Sequence, residues 1–251
     1  IQRDFLDKLG YNICGDNMNI VNTSIIGADS LMNVKYILAD YEINGLKKLE
    51  KLDAGNGKNI YQNPFVLPFA FTYPDSVISI NEKEKNPFLY QNEIYSKLLG
   101  RNIELYKKLN YERVDENNSV SFYLRLPEKE SAVYGYCDMT EWGSGDIYAN
   151  NEYLCGYNQW LAPRVVYIPS SPDMKSIEVR IDKENAGQCI EDSQFYYLDL
   201  NELSAVTQEI NQRQAHKVSV ENGKVVLETS QSKEGEKLYV AMPYENGWEI
   251  L

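Results

Sequence analysis

From Ser119 onward the chain is written in short alternating runs, and this pattern constrains the fold more than any other feature. "SVSFYLRLP", "SAVYGYCDM", "GDIYANNEYLCGY", "PRVVYIP" and "KSIEVRID" are alternating or β-branched segments separated by turn residues. A period of two is that of a strand with one face buried. Short strands at this spacing pack as two sheets face to face, so the pattern predicts a jelly-roll-like β-sandwich. One helix interrupts it. Leu200, Leu203, Val206 and Ile210 recur at helical intervals and predict a helix over 199–213. "HKVSVENGKVVLETS" follows, a hairpin centred on Asn222-Gly223.

The first 117 residues have a different texture. Ile1, Phe5, Leu6 and Leu9 mark a helix stopped by Gly10. "ADSLMNVKYILAD" predicts a helical turn capped by Asp29 or Ser30, then a buried strand over Val34–Leu38. "IYQNPFVLPFAFTYPD" has three prolines and predicts short strands. "NPFLYQNEIYSKLLG" is a helix over Asn86–Gly100, with Pro87 in its first turn and Gly100 at its end. The polar stretch Asp115–Asn118 is the expected boundary. The fold class is therefore α+β, with a mixed α/β subdomain at 1–117 and a β-sandwich subdomain at 118–251. The helix and terminal hairpins complete the second part.

The end of the chain predicts one more hairpin. Leu238, Val240 and Met242 alternate as a half-buried strand, Glu245-Asn246-Gly247 is turn chemistry, and Trp248–Leu251 opens a partner strand that stops short. This C-terminal hairpin reads as truncated, a piece of a longer protein.

A net charge of −12, with no basic cluster, argues against nucleic acid as a partner, because phosphate neutralisation supplies most of that affinity. No apolar run approaches the roughly 20 residues of a membrane helix. Cys14, Cys137, Cys155 and Cys189 are too dispersed for a zinc site. Cys137 and Cys155 are the preferred pair if a disulfide forms, and free thiols are the alternative. The single histidine, His216, opens a strand with no nucleophile motif beside it. No phosphate loop or metal motif is present, so no catalytic residue, metal or cofactor is expected.

What remains is a cluster of rings and carboxylates. Asp138, Glu141 and Asp146 surround Trp142 in "GYCDMTEWGSGDIY", and Tyr134, Tyr136, Tyr157 and Trp160 lie nearby. Aromatic faces stack on sugars while amides and carboxylates hold hydroxyls. The candidate carbohydrate-binding set is Tyr136, Asp138, Glu141, Trp142, Tyr157, Asn158 and Trp160. A glycosidase would use two of these carboxylates about 5 to 9 Å apart, but no pair is specified by spacing.

Five strings in order resemble the YfhO family of large multi-spanning bacterial membrane proteins. They are "LMNVKYILAD", "IYQNPFVLPFAF", "NPFLYQNEIYSKLLG", "FYYLDLNELSAVTQEI" and "KLYVAMPYENGWEI", and they cover most of the chain from Leu31. Two positions depart from the family pattern: Met242 stands for Ile or Leu, and Asn33 for a common Gly. The resemblance implies an extracellular domain of a polytopic protein, similar to glycosyltransferases that use lipid-phosphate sugars and act on lipoteichoic acid. In such enzymes the catalytic carboxylate belongs to a loop between early membrane helices, and no residue here corresponds to it. The expected partners are the transmembrane portion of the same polypeptide and a cell-envelope glycopolymer. The alternatives are a stand-alone carbohydrate-binding module or glycosidase using Trp142, Asp138 and Glu141, and a protein-interaction domain of the envelope.

Overall fold

The computed structural model describes residues 2–14, 19–21, 23–50, 55–136, 144–158, 164–183, 193–221, 223–230, 234–242 and 249. The chain opens with helix α1 (Gln2–Lys8) and a small hairpin of β1 (Asn12–Cys14) and β2 (Asn19–Val21). Helix α2 (Ile26–Leu31) follows, then strands β3 (Tyr36–Ala39), β4 (Lys47–Lys48) and β5 (Asn59–Gln62), paired in the order β3-β5-β4. Strand β6 (Ala70–Pro74) leads to helix α3 (Pro87–Leu99).

The two larger sheets come next. Their strands are β7 (Tyr106–Lys108), β8 (Tyr111–Asp115), β9 (Ser119–Arg125), β10 (Ser131–Tyr136) and β11 (Ser144–Ala149). Strands β12 (Glu152–Asn158), β13 (Val165–Ile168), β14 (Ser176–Lys183) and β15 (Gln194–Asp199) complete them. Helix α4 (Leu200–Asn211), the hairpin β16 (His216–Glu221) and β17 (Lys224–Glu228), and β18 (Glu236–Val240) end the described chain apart from Glu249.

All pairing is antiparallel, in a four-stranded sheet β13-β10-β15-β7 and a five-stranded sheet β12-β11-β14-β9-β8. Alternation brings them together. Val120, Phe122, Leu124, Ile147, Ile177, Val179 and Ile181 of the larger sheet share a core with Val133, Val166, Ile168 and Phe195 of the smaller one. The opposite face of the smaller sheet carries Tyr106, Tyr134, Tyr136, Tyr167, Tyr196 and Leu198, which enter a second core with residues of all four helices. The four-stranded sheet is thus a middle layer buried on both sides, while the five-stranded sheet keeps one face in water. This is a β-rich α+β architecture, as the strand and helix patterns predict.

Local chemistry explains the longer helices. The Asn86 side chain accepts from the N–H groups of Phe88 and Leu89, Pro87 follows it, and Gly100 closes α3 at φ 73°. Asp199 caps α4 by accepting from Glu202 N–H. The stripe Leu200, Leu203, Val206 and Ile210 is buried as its periodicity predicts.

Three expectations are corrected. Helix α2 has Ile25, not Asp29 or Ser30, at its N-cap; both polar residues lie inside a helix buried on every side. They serve internal partners, Asp29 accepting from Tyr11 and Ser24 and Ser30 donating to Ile26 O. The strand after α2 is not buried: Tyr36 and Leu38 are each 56% exposed, because β3 is the edge of a small sheet. In β18 the inward ring is Tyr239, which stacks on Phe71 at 4.8 Å, whereas Leu238 is exposed. Pairing with β6 sets that register. Trp248 and the rest of the expected turn and partner strand, apart from Glu249, lie outside the described residues. The stretch expected as a boundary is the turn of the β8–β9 hairpin, where Glu116 N–H reaches Ser119 O.

Candidate functional site

Of the seven sequence-derived site residues, Tyr136, Tyr157 and Asn158 fall among the described residues. Asp138, Glu141, Trp142 and Trp160 lie outside the described residues, as do Cys137 and Cys189 and therefore the Cys137–Cys155 pairing. Tyr157 and Asn158 extend β12, opposite Gly145 and Ser144. Tyr136 is buried, and its hydroxyl donates to Lys85 O at 3.1 Å and accepts from Arg164 at 3.2 Å. Tyr134 is buried too, its hydroxyl accepting from Ile26 N–H. Both rings are core material between the middle sheet and the helices. The expectation that they stack on a ligand is corrected by that burial.

The exposed aromatic surface lies one layer away, on the solvent face of the five-stranded sheet. Its origin is a two-residue turn. Asn150 and Asn151 take φ values of 47° and 68°, the left-handed pair that a tight β11–β12 hairpin requires and that Asn tolerates. The turn sets Tyr148 opposite Tyr153, their rings 5.8 Å apart and nearly perpendicular. Tyr148 also pairs with Arg180 of β14, whose guanidinium rests 4.5 Å from the ring centre. Arg180 is held in place from two sides: it donates to Asp182 at 2.9 Å and to Asn151 at 3.0 Å. A charge stacked on a ring and tied to a carboxylate gives up little further freedom on binding.

The adjoining row continues across the same strands. Gly156 pairs with Asp146, and Asp146 with Asp182. On the other side, Glu178 pairs with Tyr123 and accepts from Ser121 at 2.8 Å. Tyr153 and Tyr123 are 59% and 42% exposed, so both rings are available to a ligand. The Tyr153 hydroxyl is pushed above the ordinary tyrosine range, first by lost hydration and then by the Asp146 carboxylate. The Tyr123 hydroxyl is raised mainly by the Glu178 carboxylate.

This face offers ring surfaces, fixed donors and carboxylate acceptors side by side, the equipment for holding a polyhydroxylated molecule. Among the described residues, no three His, Cys, Asp or Glu side chains converge as a metal site. Two clefts of about 150 and 370 Å³ lie elsewhere: Asn44, Lys129 and Ser170 line the smaller, Lys35, Phe69 and Val218 the larger. Sequence reading missed the sheet face because its residues belong to four strands. The Asn150-Asn151 turn signal with a tyrosine two residues to either side was the available clue.

Among the described residues, no helix is long and apolar enough to cross a membrane. No curated protein matches the chain. A family model does, and it spans nearly everything: residues 2–251 match the bacterial membrane protein YfhO, and the chain belongs to that family.

Proposed function

We propose that this chain is a non-catalytic, extracellular domain of a YfhO-family membrane protein, and that it presents an envelope glycopolymer to the membrane-embedded part of the same polypeptide. The observation that carries the reading is the exposed Tyr153 ring against the half-buried Tyr148, with Arg180 fixed between the Tyr148 ring and a carboxylate on the open face of a sheet. The resemblance to lipid-phosphate-sugar glycosyltransferases supplies the reaction, and lipoteichoic acid is the acceptor it suggests. The second part of the chain is a jelly-roll-like sandwich on the same reading. Strand order β7-β15-β10-β13 facing β9-β14-β11-β12, with β8 added at an edge, supports two interlocked Greek keys.

The test uses the intact protein in its own membrane. Replacing Tyr153 and Arg180 together by Ala should reduce sugar incorporation into the envelope polymer while the protein level stays constant. Undiminished incorporation overturns the reading. For the outward placement, Val77 is fully exposed, so a Val77→Cys variant should react with a membrane-impermeant maleimide on intact cells. Labelling only after permeabilisation overturns that part.

A further inference from the structure

We infer that the five-stranded face contains a subsite for one uncharged hexopyranose ring, stacked on Tyr153 and with a hydroxyl seated in a notch at Gly156 between Tyr153 and Asp146. The inference rests on the glycan-presenting reading and deepens it: the face holds the polymer by an uncharged sugar unit and not by its phosphate backbone, and Gly156 is the residue that selects it.

Glycine inside a strand weakens pairing and usually marks a place where something approaches closely. The described glycines divide by what they are needed for. Gly10, Gly45, Gly55, Gly57, Gly100, Gly223 and Gly235 all have positive φ, which side chains disfavour. Gly145 is required by packing, since a Cβ there would lie 2.2 Å from Asp182 O. Gly27 and Gly135 are closely enclosed too, with would-be contacts at 2.6 and 3.2 Å. Gly156 has neither reason. Its φ lies outside the positive region, and a Cβ would meet only the Tyr153 hydroxyl at 3.5 Å and Asp146 Oδ1 at 3.8 Å, both ordinary contacts. The missing side chain leaves a Cβ-sized gap, walled by the Tyr153 hydroxyl, which is itself hydrogen-bonded to the Gly156 backbone, and by the Asp146 carboxylate, beside an exposed ring.

Charge decides the class of ligand. Asp146, Asp182 and Glu178 share this face, and Arg180 is already paired with Asp182, so a phosphate or carboxylate group would be repelled. An amine would meet Arg180 in the middle of the surface. An uncharged ring satisfies both constraints: its hydroxyls donate to Asp146, and its oxygens accept from the remaining Arg180 N–H groups.

Amide spectra of the 251-residue chain would be recorded with α- and β-linked glucose tetramers, a glucosamine tetramer and a glycerol-phosphate oligomer. A neutral tetramer should shift Tyr148, Tyr153 and Gly156. Gly156→Ala, which fits the fold, should weaken that binding by about tenfold or more without moving the melting temperature, since one misplaced carbon in a fitted site has that leverage. Tyr153→Ala should abolish it. If Tyr153→Ala abolishes binding while Gly156→Ala binds like the parent, the notch is wrong and the glycan-presenting face stands. Tighter binding of either charged oligomer overturns the uncharged class. No binding by any probe overturns the face and the subsite together.

Discussion

Tyrosine is used here for both of its ends. The rings of Tyr106 and Tyr134 fill the core beneath α2 while their hydroxyls accept from Gly27 and Ile26 N–H, groups that begin a helix without a side-chain cap. Tyr134→Phe keeps the ring and orphans a buried donor, so it should cost about 1–3 kcal/mol in denaturant unfolding. Tyr153→Phe, at the exposed face, should cost almost nothing. Asp29 adds a dependence on pH. Burial raises its carboxyl to about 6, against hydrogen bonds from Tyr11, Ser24 and Ile25 that favour the ionised form. A folded pKa above the unfolded one means stability is fully present below about 4 and is lost as pH rises through about 6. The difference between the parent chain and Asp29→Asn should change across that window, by about 3 kcal/mol at most, and be flat above it. Melting both proteins from pH 3.5 to 8 checks the sign. Asn33 takes φ 58°, in the left-handed region that both asparagine and glycine adopt, so either residue serves there. Its side chain also donates to Leu67 O, which glycine does not replace.

Among the elements, α4 depends most on one residue. Asp199 caps it, is nearly buried, and pairs with Lys129 at 2.6 Å and Lys107 at 3.4 Å. Asp199→Ala removes the cap and the carboxylate that Lys129 and Lys107 share, so a loss of about 2 kcal/mol or more is expected on chemical unfolding. Glu202→Ala, which removes one half-exposed partner of Lys107, should cost well under half of that. Elements of this kind were legible in the sequence. Asn86-Pro87 and Asp199 each stand directly before an apolar stripe, so α3 and the body of α4 follow from local chemistry. Helix α2 was legible only as a turn: buried on every side, it has no polar face to reveal its period. Strand β15 was invisible for a related reason, since a strand in the middle layer carries large residues on both faces and shows no alternation.

Across the whole molecule, protection from amide exchange should follow the layers. Strands β10 and β15, interior in the twice-covered sheet, should exchange slowest, and the largely exposed β16–β17 hairpin fastest. Comparable rates in both would contradict the layered description. Alternation made the five-stranded sheet readable, because its water-facing side leaves a polar residue at every second position. The helical layer over the middle sheet was not readable, since a pattern tells that a face is covered and not by what. The same limit moved the candidate site: tryptophans drew attention to 138–160 along the chain, whereas the exposed face depends on the register that brings Tyr148, Tyr153 and Arg180 together. The pairing of β18 with β6 bears on how the protein is made. Tyr239 donates to the carbonyl of Leu31 across 208 residues, and its strand completes a sheet begun at Ala70. A ribosome delivers β6 long before its partner, and contacts so distant in sequence close slowly. During that interval the β6 edge is open to any passing strand or chaperone. Nascent chains stopped before Glu236 would therefore keep that edge exposed and be recognisable as unfinished.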